Sequence, residues 1–149
     1  MKIGHILAAT DLSQDSLGCI APVADLARSV GARITLLHVL EVHEAIPHGA
    51  GLAPRLSEFD APATSEAARE RLEERAKAFG PGVDIRVEMV VSGDTAEEIT
   101  SYAEANDVDL IAVATHGRTG FRHLVMGSVT EAVVRRSRVP VLVLPRPKR

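Results

Sequence analysis

Short apolar runs along the chain alternate with longer segments in which apolar residues recur at helical spacing. The apolar runs predict five strands, at residues 3–9, 32–40, 83–91, 110–114 and 139–144. In the third run Arg86 and Glu88 alternate with apolar residues, which predicts one face in water and a position at the edge of a sheet. The other runs are almost continuously apolar, which is typical of strands buried on both faces.

Helical spacing between the strands predicts four main helices, at residues 13–30, 65–79, 96–106 and 128–136. Ser13 is a good N-cap for the first of them. Pro22 lies inside this helix and lacks a backbone N–H, so we expect an irregularity near residues 19–22. Residues 41–64 contain three prolines and no clean periodicity. They predict a long connection that is either mobile or ordered as a lid over a ligand.

The alternation of strands and helices defines a fold class. Such chains form parallel sheets with right-handed crossovers and helices on both faces. We therefore predict a single domain over residues 1–149, an α/β protein built as a three-layer α/β/α sandwich of Rossmann-like type. Its five-stranded parallel sheet should have the order 3-2-1-4-5, because this order leaves the third strand at an edge.

Composition and charge narrow the class of partner. A net charge of −3 over 149 residues argues against a general nucleic-acid binder. Every apolar run is shorter than the ~18 residues of a membrane span, so no membrane insertion is expected. The first residues run directly into a strand without the pattern of a signal peptide, which predicts a cytoplasmic protein. Cys19 is the single cysteine and has no histidine near it in sequence that could activate its thiol.

The predicted strand order places a candidate site at the carboxyl ends of the first and fourth strands. The topological switch point lies between these two strands, and open α/β sheets bind ligands there. Residues 9–11 end the first strand and residues 114–117 end the fourth. A glycine-punctuated loop follows, and a helix is predicted to begin directly after Gly127-Ser128. The free N–H groups and positive dipole end of that helix favour an anion such as phosphate.

Motifs limit the ligand further. The Walker P-loop and the G-x-G-x-x-G pattern are both absent, which argues against a Walker NTPase and a standard dinucleotide enzyme. Asp11 suits ribose hydroxyls or a metal ion that accompanies phosphates, and it can also cap the turn that follows it. Ser128 and Thr130 offer hydroxyl donors to phosphate, and Val39 offers backbone groups to an adenine edge. Ser128 lies in no G-x-S-x-G elbow, which argues against a hydrolase triad.

Several stretches of the chain carry family-specific residues: ILAATDLS at residues 6–13, LLHV at 36–39, GDTAEEI at 93–99, and residues 114–145. Together they resemble the nucleotide-binding subgroup of the universal stress protein family over essentially the whole chain. The ATP-binding signature of that family is a glycine, two residues, a glycine, nine residues, then glycine and Ser or Thr. Gly117, residues 118–126 and Gly127-Ser128 match it, and Ala114 stands in place of the first glycine. The added methyl group matters only where the backbone needs a positive φ or a very close approach.

The resemblance implies an adenine nucleotide alpha hydrolase-like fold that binds ATP, or AMP or ADP, with Mg²⁺. It implies that Asp11 contacts ribose or Mg²⁺, that Val39 contacts adenine through its backbone, and that the glycine loop holds phosphates. The candidate nucleotide-binding residues are Ala9, Thr10, Asp11, Val39, Ala114, Thr115, His116, Gly117, Arg118, Gly120, Met126, Gly127, Ser128, Val129 and Thr130. Asp11 is also the candidate metal ligand. The family further implies a homodimer paired through residues 139–145, and an apolar strand at a sheet edge needs such cover.

Three functions remain open. The first is an ATP-binding stress-response or signalling factor, with unknown protein partners, in which the nucleotide is a conformational ligand. No residue resembles a tuned general base for attack on a γ-phosphate, so no catalytic residue is assigned. The second is a slow ATPase or an autophosphorylating enzyme that uses Ser128 or Thr130. The third is a nucleotide-free dimeric interaction protein, and Ala114 is the feature that favours it.

Overall fold

The structure, a computed structural model, describes residues 2–41, 61–115 and 126–145. The elements in chain order are β1 (His5–Ala9), α1 (Gln14–Leu17), α2 (Ile20–Val30), β2 (Arg33–Glu41), α3 (Ala61–Lys77), β3 (Ile85–Ser92), α4 (Thr95–Ala105), β4 (Leu110–Ala114), α5 (Ser128–Arg136) and β5 (Val141–Leu144). All strand pairs are parallel, and the sheet order is β3-β2-β1-β4-β5. The predicted three-layer α/β fold and its strand order are confirmed.

Helices cover both faces of the sheet because side chains along each strand alternate between two apolar clusters. On β1, Ile6 packs in the cluster that contains residues of α2 and α3, whereas Leu7 packs in the cluster that contains residues of α4 and α5. The third strand lies at the sheet edge with Arg86 and Glu88 exposed, as its alternating pattern predicted. No helix in the described part of the chain has the length and apolar character that crossing a membrane requires.

The predicted first helix is two helices in the structure, α1 and α2, with Gly18 and Cys19 between them. Pro22 is the third residue of α2. The first-turn N–H groups of a helix have no intrahelical acceptor, so a proline there removes no hydrogen bond. The irregularity therefore falls before the proline, and Pro22 itself is accommodated in a regular helix.

Two other boundaries differ from the sequence prediction. Helix α3 begins at Ala61, inside the predicted long connection of residues 41–64, and Glu41 still belongs to β2. Residues 42–60 of that connection lie outside the described residues. The last strand begins at Val141 rather than at Val139, because the N–H of Val139 donates to the Ser137 hydroxyl oxygen in a turn, 3.0 Å away.

His5 begins β1 between groups that favour opposite protonation states. Its Nε2 lies 2.8 Å from Thr35 Oγ1. Its Nδ1 lies 3.1 Å from the Asn106 carbonyl oxygen, which favours a proton on Nδ1, and 3.2 Å from a guanidinium nitrogen of Arg33, which opposes one. Burial of the ring, followed by the Arg33 charge, lowers the pKa of His5 from its ordinary value, against smaller opposing effects that include the Asp109 carboxylate.

The free energy of unfolding should therefore fall as the pH drops through the range in which His5 titrates. A histidine in the unfolded chain has a pKa of about 6.5. Below that pH the unfolded chain binds more protons than the folded chain. The free energy of unfolding therefore has its full value above about pH 6.5, and it decreases as the pH falls through the lower pKa of His5 in the folded protein. In urea titrations between about pH 7.5 and 5, His5→Gln should lose less stability on acidification than wild type. The substitution leaves the other histidines unchanged, so equal losses would show that His5 is not the source.

Candidate functional site

The carboxyl ends of β1 and β4 lie side by side at one edge of the sheet. The two strands pair as far as Ala8 opposite Ala112, and β4 continues to Ala114. The ends of these strands, at residues 9–11 and 114–115, are therefore neighbours. This juxtaposition follows from the strand order and lies at the topological switch point, where ligands of such sheets bind.

Asp11 lies in a tight turn after β1, and its two carboxylate oxygens have different surroundings. Its Oδ1 accepts hydrogen bonds from the backbone N–H of Ser13 at 2.9 Å and from the Ser13 hydroxyl at 2.6 Å. Asp11 thus has the capping role that the sequence allowed. Its Oδ2 is buried and has no hydrogen-bond partner among the described residues. Because an unpaired buried carboxylate oxygen is costly, Oδ2 is a position at which a ligand atom would stabilise the protein.

Leu12 gives this turn an unusual backbone. Its φ is 61°, in the left-handed region, which costs a leucine roughly 1–3 kcal/mol. The Leu12 side chain is buried in the core, and its N–H donates to Thr10 Oγ1 at 3.1 Å. The Thr10 hydroxyl also lies 3.0 Å from the Ser16 hydroxyl. These contacts fix the turn in a conformation that the backbone alone does not favour.

Two arginines of α3 hold the same turn. Arg75 donates to the carbonyl of Leu12 at 2.7 Å, to the carbonyl of Ser13 at 2.8 Å and to the Ser16 hydroxyl oxygen at 3.0 Å. Arg71 donates to the Leu12 carbonyl at 3.2 Å. Helix α3 therefore contributes to the site through its side chains, although it follows β2 in the chain.

The role of these arginines was not predicted from the sequence. Residues 65–79 are rich in both charges, which is typical of a solvated helix face, and the only signal was the spacing of four between Arg71 and Arg75. Burial, followed by the positive charge of Arg71, lowers the pKa of Arg75, and the Asp11 carboxylate opposes this shift. An arginine remains charged under such shifts, so a cation stands near Asp11.

A cavity of about 20 Å³ lies beneath the turn, with Thr10, Ser16, Cys19 and Arg75 among its lining residues. This volume is sufficient for one water molecule. Burial, followed by the charge of Asp11, raises the pKa of the Cys19 thiol. The thiol is therefore held in its neutral form, which disfavours its use as a nucleophile.

The N-terminus of α5 is tied to the end of β4. The Thr130 hydroxyl donates to the Ala114 carbonyl at 2.7 Å, and the Gly127 N–H donates to the Thr115 carbonyl at 2.6 Å. The first hydrogen bond within α5 runs from Glu131 N–H to the Gly127 carbonyl, so the N–H groups of residues 128–130 precede it. Thr130 is buried and its hydroxyl proton is engaged with Ala114. The hydroxyl is therefore not free to donate to a phosphate as the sequence suggested, and its backbone N–H is the remaining donor.

The second strand extends past the first at the same edge. Directly after β1, the N–H of Thr10 donates to the Leu37 carbonyl at 2.9 Å. Backbone groups alternate in direction along a strand, so the N–H and C=O of Val39 point to the same side as those of Leu37, beyond the end of β1. His38 is buried, and its Nδ1 donates to the Thr10 carbonyl at 2.9 Å. It is therefore a packed core histidine.

The structure does not describe the whole candidate set. Ala9, Val39, Ala114 and Thr115 lie at the strand ends, and Met126, Gly127, Ser128, Val129 and Thr130 lie at the start of α5. Four candidates lie outside the described residues: His116, Gly117, Arg118 and Gly120. Within the described ranges no group of three or more His, Cys, Asp or Glu side chains could hold a metal ion. Because the described residues supply no such cluster, a metal ion held by Asp11 could take its further oxygens from a bound ligand or water.

Comparison with known proteins identifies the family. Residues 2–145 match the model of the Universal stress protein family. Universal stress protein MJ0531 of Methanocaldococcus jannaschii is 33% identical over 146 residues, covering 97% of this chain and 83% of the relative. Universal stress protein MJ0577 of the same organism is 31% identical over 153 residues, covering 95% and 94%.

Solved structures agree with these relatives. The structure of MJ0577 superposes on this chain with a TM-score of 0.81 at 28% identity, over 100% of both chains. A universal stress protein solved in complex with cAMP superposes with a TM-score of 0.68 at 22% identity, covering 97% of this chain and 98% of that one. The chain belongs to the universal stress protein family.

Proposed function

We propose that this protein binds ATP, or AMP or ADP, at the carboxyl ends of β1 and β4 and acts as a nucleotide-dependent stress-response or signalling factor. The observation that carries the proposal is Oδ2 of Asp11, a buried carboxylate oxygen without a hydrogen-bond partner in the described part of the chain. A ribose hydroxyl would donate to it and a Mg²⁺ ion would coordinate it. The cAMP complex of a protein with the same fold also contains an adenine nucleotide.

The remaining site residues suit different parts of a nucleotide. The N–H groups of residues 128–130 and the positive end of the α5 dipole suit phosphate oxygens. The backbone of Val39, beyond the end of β1, suits an adenine edge. The strand ends at residues 9–11 and 114–115 would lie between these two positions. Four further residues are proposed as part of the nucleotide site only because they lie in the stretch of the family signature: His116, Gly117, Arg118 and Gly120.

A Mg²⁺ ion fits Asp11 as a companion of the phosphates. The described residues offer no cluster of three or more acidic, His or Cys ligands, so an all-protein cage is not available there. Mg²⁺ keeps several waters and is commonly held by one or two carboxylates together with substrate phosphates. Asp11 would supply the carboxylate through Oδ2, since its Oδ1 is already bonded to Ser13.

We propose that the nucleotide is a conformational ligand rather than a substrate. Of the two hydroxyls considered for autophosphorylation, that of Thr130 is buried and donates to the Ala114 carbonyl, which disfavours phosphoryl transfer to it. Ser128 is exposed on the first turn of α5. Phosphate on Ser128 after incubation with ATP, detected by mass spectrometry, would support the enzymatic alternative and contradict a purely ligand role.

The proposal is tested by direct detection of nucleotide. The protein is purified, denatured, and its small-molecule content measured by mass spectrometry, and the nucleotide-free protein is then titrated with ATP and Mg²⁺ in a calorimeter. We expect either a co-purified adenine nucleotide or saturable binding of one ATP per chain. The absence of both would overturn the proposal and favour the nucleotide-free interaction protein.

We also propose that a second copy of the chain covers β5. This strand ends the sheet, and each residue of Val141–Leu144 is only partly buried. An apolar edge strand presents unpaired backbone groups that pair readily with another chain. In sedimentation equilibrium we expect a concentration-dependent monomer–dimer equilibrium or a stable dimer. A monomer at every concentration would contradict the proposal.

A further inference from the structure

The orientation of the Asp11 carboxylate depends on Ser13. Two hydrogen bonds from Ser13, through its N–H and its hydroxyl, fix Oδ1 and thereby fix the direction of Oδ2. The carbonyl of the same residue accepts a hydrogen bond from Arg75 at 2.8 Å. Arg75 and Asp11 thus hold the two ends of one residue. A shift of the Ser13 peptide would move the carboxylate.

The planar guanidinium of Arg75 is suited by its shape to hold the turn that follows β1. Its two terminal nitrogens reach three acceptors of the turn, the carbonyls of Leu12 and Ser13 and the hydroxyl of Ser16. Arg71 adds a second bond to the Leu12 carbonyl. One of these acceptors is the carbonyl of Leu12, the residue with positive φ, and the others follow it, so the arginines hold a conformation that the backbone alone does not favour. A lysine has one nitrogen in place of a planar fork and could not reproduce this set of bonds.

Arg75 lies near Asp11 without blocking it. Within the described ranges none of the ion pairs involves Asp11. The Arg75 donors are committed to the turn, and Oδ2 of Asp11 keeps no partner there. A direct ion pair would occupy the oxygen that a ligand needs, whereas a guanidinium bonded to the turn supports the carboxylate and leaves Oδ2 unpaired.

We propose that Arg75 is a positioning residue for nucleotide binding: it locks the turn of residues 11–16 through Leu12, Ser13 and Ser16, and so directs Oδ2 of Asp11 toward the ligand. The effect on nucleotide affinity rests on the proposed function. The locking of the turn rests only on contacts within the protein. Arg71 assists through its single bond to Leu12. Helix α3 is thereby a part of the site.

The first test is ATP affinity, measured by calorimetry in Arg75→Lys. This variant keeps the charge and loses the fork, and we expect ATP to bind about 10-fold more weakly, about 1.4 kcal/mol. The matched control is Arg28→Lys. Arg28 also donates to loop carbonyls, those of Phe79 and Pro81, but lies near the amino ends of the strands. We expect the control to bind ATP as wild type does, and unchanged affinity in Arg75→Lys would overturn the inference.

A double-mutant cycle separates positioning from a direct contact. In an Asp11→Asn background, Arg75→Lys should change ATP affinity by less than about 2-fold, because Arg75 acts through Asp11. An equal loss in both backgrounds would show that Arg75 acts independently of Asp11 and would overturn the positioning role.

A measurement without ATP keeps this inference distinct from the proposed function. The N–H of Ser13 donates to Asp11, so its amide hydrogen exchange, followed by NMR, reports the turn. We expect exchange to accelerate about 10-fold in Arg75→Lys and to be unchanged in Arg28→Lys. If wild type fails to bind ATP but exchange responds in this way, the proposed function fails and the locked turn stands. If exchange at Ser13 is the same in Arg75→Lys and wild type, Arg75 does not lock the turn.

Discussion

Gly127→Glu is expected to abolish ATP binding without unfolding the protein. Gly127 is the N-cap of α5, with φ −69° and ψ 152°, an extended conformation that any residue adopts. A glutamate there would place a negative charge at the helix N-terminus, where the proposed phosphates bind, so charge repulsion and volume both oppose the nucleotide. We expect a loss of at least about 100-fold in affinity by calorimetry, about 2.8 kcal/mol.

The stability of Gly127→Glu shows whether a loss of ATP affinity reflects the binding site or unfolding of the protein. No side chain caps α5 in wild type, so the substitution removes no capping bond, and a carboxylate near a helix N-terminus is itself favourable. The free energy of unfolding should stay within about 0.5 kcal/mol of wild type. Gly127→Ala adds a methyl group without charge and serves as the control, with affinity within a few-fold of wild type. Normal ATP binding by Gly127→Glu would show that α5 does not hold the phosphates.

Asp11→Asn is expected to weaken ATP binding by about 10- to 100-fold, since a hydrogen bond to a charged group contributes roughly 1.5–3 kcal/mol. The amide oxygen of asparagine can still accept both bonds from Ser13, so the turn should persist. The amide nitrogen would replace Oδ2 and can neither accept from a ribose hydroxyl nor coordinate Mg²⁺. Titrations with Mg²⁺ and with EDTA distinguish these partners, because only a ribose contact survives removal of the metal.

Asp109→Asn is the matched control for Asp11→Asn. The Asp109 carboxylate also accepts backbone N–H groups, those of Gly4 and His5 at 2.8 and 2.9 Å, but it lies at the amino ends of β1 and β4. These bonds lower the pKa of Asp109, so the variant also removes a charge that the fold stabilises. We expect its ATP affinity to equal that of wild type. Equal losses in the two variants would point to a general effect of charge rather than to contact at Asp11.

The fold was predictable because its signals are local and repeated. Two charged residues, Arg86 and Glu88, indicated that β3 lies at an edge of the sheet. The order 3-2-1-4-5 was predicted because it leaves β3 at an edge. Helix boundaries were harder to predict from the sequence. A proline is compatible with a first helical turn as well as with a kink, so Pro22 could not specify whether the chain bends at it or before it.

The candidate site was predictable only where topology governs it. The strand order alone brings Asp11 next to the end of β4. Ser13 bonds Asp11 locally, but the hydrogen bonds that hold the surrounding turn come from a distant part of the chain, since Arg75 lies more than sixty positions from Leu12. Side-chain contacts of that separation leave no periodic trace in a single sequence. The bond from Thr130 to Ala114, which engages a predicted phosphate donor, was also not predictable, because it joins a helix side chain to a strand carbonyl.

The most direct test of a nucleotide site at the carboxyl ends of β1 and β4 is an NMR titration of the ¹⁵N-labelled wild-type protein with ATP and Mg²⁺. We expect the amide signals of Asp11, Ser13 and residues 128–130 to shift in a saturable way. Those of Gly31 and Gly82, which line a depression at the amino ends of the strands, should not move. No shifts at high ATP concentration, or shifts confined to the Gly31 and Gly82 side, would contradict the site.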